Sequence, residues 1–503
     1  MQTFPSVQEH LCTYVDAGFP IIYIYTSEES VADSEIEKLK ELIGNRKIIE
    51  WNNARGFVKF DTKIPYIQNC DIELEEILTK FATDKMYEQH ILVIKDAAEK
   101  LKSDKVIALL KEIARRICYG IEQVVIIVSS SLCIPKELEK QITVLEITRP
   151  NEDKIKEIVE KLIDSENFPT SFINRIVTSL KGLYESEIES IFNLAYAQDG
   201  EITEKSLSLI NLQKQQMILK SGILEMIPLS EDINDIGGLE NLKEWLKKKA
   251  EIFNNIAEAK EFGVPIPKGV MIAGVAGCGK SLSAKAAGKL FDMPLLRMDM
   301  GKLMGKYVGE SEENMRKAIS LAEAMAPSVL WIDELEKAFA GIGNGNGSEV
   351  TTRLFGAFLT WMQEKKAPVF VIATANEIKG LPPELLRKGR FDEIFYVSLP
   401  NDDERRKIFE IHIKKRRKKN ASSIGIDIEK LVDNTYGYSG ADIESIVGES
   451  IEAAFINKSK EITTEDLIAC ISSTKSLSEI MGEQLKSLIN FYEEKDFRRA
   501  SKD

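Results

Sequence analysis

Eight consecutive residues carry the sharpest chemical signal in the sequence. They are Gly274, Val275, Ala276, Gly277, Cys278, Gly279, Lys280 and Ser281, reading GVAGCGKS. The spacing is G-x-x-x-x-G-K-S. It follows the apolar run Val270–Ala273 and precedes a helical pattern that opens at Leu282. Glycines at such a turn let the backbone wrap a phosphate chain with its N–H groups pointing inward. The helix behind the loop presents its positive end to the same anion. Lys280 can then reach the β- and γ-phosphates, and the Ser281 hydroxyl can ligate Mg²⁺. Further along, Val329–Ile332 is an apolar run that ends in Asp333 and Glu334. A strand ending there sets the Asp333 carboxylate beside the metal. Glu334 can polarise a water for in-line attack on the γ-phosphorus. The predicted chemistry is hydrolysis of a nucleoside triphosphate.

Other chemistries lack their residues. The only histidines are His10, His90 and His412, so no H-E-x-x-H zinc site can be written and no nucleophile elbow accompanies them. Six scattered cysteines, with no C-x-x-C pair, read as reduced thiols in a reducing compartment. The chain has 503 residues, 67 Lys+Arg and 80 Asp+Glu, for a net charge of -13. That acidic balance argues against a nucleic-acid coat, and no nucleic-acid partner is expected. The basic run Lys414–Lys419 is read as the solvated end of a helix beginning near Asp402. No signal peptide is visible at the N-terminus and no apolar run is long enough to span a membrane.

The elements that must position these groups come from a repeated pattern. Short apolar runs at Ile21–Tyr25, Ile91–Ile94, Val124–Val128, Val270–Ala273, Val329–Ile332 and Val369–Ala373 alternate with longer amphipathic stretches. Such runs predict buried parallel strands of an α/β sheet, joined by right-handed helical crossovers. The two halves also echo each other. DAAEK at Asp96 matches DELEK at Asp333, and the run from Val124 matches that from Val369. Ile147–Ile158 matches Val397–Ile408, and EIESIF at Glu187 matches DIESIV at Asp442. The offsets are 237, 245, 250 and 255 residues, in order, which predicts an internal duplication.

Residues from about Asp232 to Ser473 resemble the AAA ATPases, the ring-forming members of the AAA+ group. Several further matches carry the resemblance, each with an implied role. DIGG puts Asp235, Ile236 and Gly237 in the segment that wraps the adenine. KYVGESE makes Tyr307 the projecting aromatic of a pore loop. ATAN ends in Asn376, a sensor that orients the attacking water. LLRKGRFDE supplies Arg387 and Arg390 as arginine fingers to a neighbouring subunit, a role that suits a fixed guanidinium charge. His412 sits at the lid position near the nucleotide, with Gly440 and Ala441 of YSGADIE against it. Departures are Val275-Ala276 and Cys278 where the family has Pro-Pro and Thr, and Lys388 where it has Pro. Cys278 is read first as a small substitute for threonine; the alternative reading has the helix N-terminus and Lys280 lower its pKa, so that oxidation there blocks nucleotide binding.

The expected fold is α/β: a P-loop AAA+ module with a helical lid, preceded by a degenerate AAA-like α/β domain. The expected divisions are 1–212 for the degenerate copy, 213–231 for an irregular linker, 232–400 for the ATPase sheet, 401–475 for the lid and 476–503 for a helix with a frayed end. In the first copy no phosphate loop follows Ile21–Tyr25, Ala97 replaces the glutamate, and the segment matching RKGRFDE is missing. It is read as a docking or regulatory layer without catalysis. The whole most resembles the hypothetical chloroplast reading frame AAA proteins of cyanobacteria, plastids and other bacteria. That resemblance implies ATP and Mg²⁺ as ligands, a homo-oligomer with six subunits favoured, and an unidentified protein partner at the Tyr307 loop and N-terminal domain. It also implies a cytoplasmic location, or the plastid stroma if plastid-encoded. The rival reading is a nucleotide-gated scaffold with incidental turnover.

Overall fold

The computed structural model describes residues 7–42, 46–66, 72–163, 168–203, 206–304, 310–339, 349–387, 389–417, 425–459 and 461–502. The proposed pore-loop residue Tyr307, Lys388 and the end of the basic run (418–419) lie outside the described residues. The chain divides into two compact units, Met1–Ile210 and Asn211–Asp503.

The first unit is built on six strands: β1 (Ile21–Tyr25), β2 (Lys47–Asn52), β3 (Gly56–Lys59), β4 (His90–Lys95), β5 (Val124–Ser129) and β6 (Ile142–Glu146). Their order across the sheet is β3-β2-β4-β5-β1-β6, with only β3 antiparallel. Alternate residues feed opposite faces. Ile21, Tyr23, Leu92, Ile94, Val125 and Ile127 enter one core, and Ile22, Ile24, Ile91, Val93, Val124 and Ile126 enter the other. Burial on both faces is why these strands read as unbroken apolar runs.

The second unit holds seven strands: β7 (Leu224–Ile227), β8 (Gly269–Gly274), β9 (Leu295–Met298), β10 (Ser328–Ile332), β11 (Val369–Ala375), β12 (Glu393–Val397) and β13 (Arg498–Arg499). The order is β13-β12-β8-β11-β10-β9-β7. Five strands keep the first unit's order, β9-β10-β11-β8-β12 for β2-β4-β5-β1-β6, and each sheet has an antiparallel edge strand, but β3 follows β2 in the chain whereas β7 precedes β8. The repeat offsets also hold at the level of register. Ile91 pairs with Val124, and the residues 237 and 245 positions later, Ser328 and Val369, pair with each other. Its core is likewise two-sided, with Met271, Leu330 and Val371 on one face and Ile272, Trp331 and Phe370 on the other. Fully burying each such side chain contributes roughly 1.5–3 kcal/mol.

Two expectations need correcting. The helical look of 211–220 agrees with helix Ser206–Ser221, but the stretch after it, read as irregular, holds edge strand β7 at Leu224–Ile227. The end of the chain is not frayed. After helix Leu477–Glu494, β13 adds to the free edge of β12, and Ala500 is fully buried. Its carbonyl accepts from the amides of Asn241 (3.0 Å) and Leu242 (3.2 Å).

Candidate nucleotide site

β8 delivers the phosphate loop. It ends at Gly274, whose φ is 136° and whose Cβ, were there one, would lie 2.1 Å from the Val397 carbonyl of β12. Only glycine fits. Gly277 (φ 75°) passes under the lid: its carbonyl accepts from Ala441 N–H at 2.9 Å, and an added Cβ would meet the Ala441 Cβ at 2.9 Å. Gly279, also left-handed, caps helix Lys280–Phe291. The Lys280 ammonium, only 7% exposed, donates to the carbonyls of Gly274 and Val275 at 2.8 Å each. Burial lowers its pKa, while Cys278, Glu336, Asp333 and Glu334 pull the other way. A bound polyanion would relieve that desolvation.

β10 and β11 deliver the acids and the sensor. Asp333 Oδ1 accepts from the Thr374 hydroxyl at 2.6 Å and lies 3.4 Å from Ser281 Oγ. Its Oδ2 is 3.5 Å from the Arg297 guanidinium. Glu334 sits in the left-handed region (φ 51°), and its carboxylate pairs with Lys337 at 2.8 Å. Asn376 follows the end of β11, and its backbone and side-chain N–H groups both donate to Glu336 Oε1 at 3.1 Å. Ser281 and Asp333 offer a hydroxyl and a carboxylate within reach of each other. Those are the hard oxygen donors a Mg²⁺ ion takes alongside phosphate oxygens, so the residues fit that ion.

The base side is built by two segments that one carboxylate joins. Asn401 and Glu404 form a reciprocal cap on helix Asp402–Arg416, with Glu404 N–H donating to the Asn401 side chain at 2.9 Å and Asn401 N–H to Glu404 Oε2 at 3.2 Å. The other oxygen of Glu404 accepts from Leu239 N–H at 2.8 Å and holds that residue in the left-handed region (φ 58°). Lys243 donates to the Ile236 carbonyl at 2.6 Å. Asp235 turns back to accept from Asp232 N–H at 2.7 Å. Ile408, Ile411 and His412 complete this wall. Burial lowers the His412 pKa against the opposing pull of Glu444, so the imidazole is kept neutral.

These walls enclose a cavity of about 430 Å³. Asp235, Ile236, Gly237, Ala276, Gly277, Cys278, Gly279, Lys280, Ser281, Leu282, Asp333, Glu334, Asn376, His412, Gly440 and Ala441 all line it. Gly274 and Val275 stand behind, as loop backbone. Arg387 and Arg390 do not line it. Arg387 is exposed, and Arg390 donates to the Glu384 carbonyl.

Sequence reasoning missed three residues. Thr374 stands within the ATAN quartet, Glu336 within DELEK, and Glu404 three residues after Asn401 in a readable capping box. Its alternative reading of Cys278 was also wrong. The thiol is half-buried and its pKa is pushed up to about 12, because burial outweighs the nearby Lys280 ammonium.

Comparisons with known proteins fit this geometry. Residues 270–399 match the ATPase family associated with various cellular activities (AAA), and residues 425–469 the AAA+ lid domain. Residues 7–147 match the N-terminal domain of SpoVK-like AAA ATPases, and 153–221 their second domain. The AAA domain-containing protein ycf46 of Guillardia theta is 37% identical over 488 residues, 97% of this chain and 94% of that one. Its counterpart in Pyropia yezoensis is 36% identical over 93% of this chain and 94% of its own. The proteasome-activating nucleotidase of Thermococcus onnurineus is 29% identical over 56% of this chain and 72% of its own.

Proposed function

The chain belongs to the AAA ATPases, in the group of the ycf46 proteins, and from that premise we propose that it is a ring-forming, Mg²⁺-dependent ATPase that remodels a protein partner. One observation carries the reading: Lys280, Ser281, Asp333 and Asn376 converge on one cavity whose other wall includes Asp235, Ile236, Gly237 and Leu239. ATP binds with its phosphates in the Gly274–Ser281 cradle and its base between Ile236 and the lid residues Ile408 and His412. Lys280 leaves its loop carbonyls for the phosphate oxygens. Ser281 and Asp333 would hold Mg²⁺, which would supply charge neutralisation at the phosphates. Glu334 leaves Lys337 to take the proton of the attacking water, and Asn376 aligns that water.

Arg387 and Arg390 stand outside their own cavity, as groups serving a neighbour's nucleotide would. A homohexamer is therefore the assembly we propose, with Tyr307 lining its centre and the first unit docking partners. The location is the cytoplasm or plastid stroma; among the described residues no helix is long and apolar enough to cross a membrane.

The test is Glu334→Gln. We expect phosphate release to fall by on the order of 10²–10⁴-fold while ATP stays bound and the oligomer persists in light scattering. A remodelling enzyme then traps its partner and stops working, whereas a nucleotide-gated scaffold keeps signalling. Multimeric wild-type protein that neither binds adenine nucleotide nor releases phosphate ends the proposal.

A further inference from the structure

Glu336 is a carboxylate at the nucleotide site for which the hydrolysis scheme has no use. It lies three residues past Asp333, on the short helix Leu335–Ala338. Its Oε1 takes two hydrogen bonds from one residue: the backbone N–H of Asn376 and its side-chain Nδ2, both at 3.1 Å. Its Oε2 is shielded from solvent and has no hydrogen-bond partner among the described residues. A carboxylate kept only for stability would satisfy both oxygens, because a buried acceptor left empty is costly. Here one oxygen is committed wholly to Asn376.

An asparagine amide has two chemically different ends that are nearly the same shape, so something must decide which way it faces. A carboxylate has only acceptors, so only the Nδ2 end can be turned toward Glu336. The backbone bond to the same oxygen anchors the residue as the chain leaves β11. What remains for the cavity is the Oδ1 acceptor and the second amide hydrogen. That is the pair needed to receive a water proton and to touch a phosphate oxygen.

We infer that Glu336 is a positioning residue that sets the orientation of the sensor amide of Asn376 through this paired hydrogen bond. The inference rests on the reading of Asn376 given under Proposed function. Reach, not charge, is the property at work. Glu336→Gln keeps an oxygen at the right distance and loses the charge; Glu336→Asp keeps the charge and withdraws the oxygen by one methylene.

The full-length protein is assayed with MgATP, and amide hydrogen exchange at Asn376 is followed without nucleotide. We expect Glu336→Asp and Glu336→Ala to lower kcat by about 10–100-fold, the scale of a misplaced catalytic group, with KM and ATP affinity little changed. Both should speed exchange at the Asn376 amide. Glu336→Gln should keep most of kcat and the protection. If Gln is impaired and Asp is not, charge is the operative property and the inference is overturned. Full activity in all three variants overturns it too. If Ala fails to fold, the Gln–Asp contrast decides alone. Wild-type protein without turnover defeats the ATPase reading instead, and the exchange measurement still judges Glu336.

Discussion

At the turn after β1 and at the turn after its counterpart β8, the two units solve the same problem with opposite chemistry. In the second unit the turn is a glycine loop, and Gly277 O meets Ala441 N–H at the start of helix Gly440–Ile456. A cavity lies beside that contact. In the first unit the turn after β1 carries Glu28, whose buried carboxylate accepts from Ser186 N–H at 3.0 Å and Ser186 Oγ at 2.7 Å. Ser186 lies 255 positions before Ala441, the offset that relates the two helices. The protein's own anion thus stands at the helix start, where the other unit leaves room for a ligand's. At the end of β4, Lys95 lies 2.7 Å from Asp33 of helix Glu29–Leu42 and 3.9 Å from Glu50 of β2, an ion-pair cluster where the matching position of β10 is the apolar Ile332. Yet the backbone forms stay close. A left-handed residue follows each strand, Asp96 (φ 53°) one residue past β4 and Glu334 (φ 51°) two residues past β10, one position out of step with the 237 offset. The order of the central strands agrees between the units while the side chains at their ends differ, because packing can enforce a sheet independently of any ligand.

The contrast is open to direct attack. The largest effect is expected from Lys280→Ala or Asp333→Asn, either of which should cut ATP turnover by at least about 10²-fold. Asp96→Asn, the matching change in the first unit, should leave phosphate release as it was. A comparable loss there would give the first unit a part in hydrolysis. Next comes Glu28→Ala, which takes the acceptor from the half-buried Ser186 donors at a cost of about 1 kcal/mol. Hydrogen exchange in helix Glu185–Asp199 should speed up, and added ATP should not reverse it. Restoration by ATP would mean that the first unit binds nucleotide after all. The smallest effect concerns thiols. At neutral pH iodoacetamide should label exposed Cys118 about tenfold or more faster than Cys278, whose raised pKa leaves little thiolate. Nucleotide should slow Cys278 further and leave Cys118 unchanged. A fast Cys278 would restore the expectation of a redox-sensitive loop.

Much of this was legible beforehand for a physical reason. Strands buried on both faces must be apolar throughout, so β1, β4, β5, β8, β10 and β11 announce themselves. The G-x-x-x-x-G-K-S loop is legible because few sequences tolerate its backbone path. Strands β7 and β13 were hidden, since they lie at sheet edges and are defined by their neighbours. Neither LEMI nor Arg498-Arg499 has a pattern of its own. The roles of Thr374 and Glu336 depend on β11 lying beside β10, which spacing alone does not give. The Cys278 error came from weighing a nearby charge above burial, when burial was the larger influence.

The docking of β13 has a consequence for how the molecule is made. The amides of Asn241 and Leu242 do not meet the Ala500 carbonyl until residues 498–502 have been translated. At about 5–20 residues per second, the roughly 300 residues of the second unit take on the order of 15–60 s to synthesise. The first unit has that interval to fold, with its own sheet already closed. A chain truncated after Glu494 would keep Lys280, Ser281, Asp333 and Asn376 but not the edge that braces helix Glu240–Asn254.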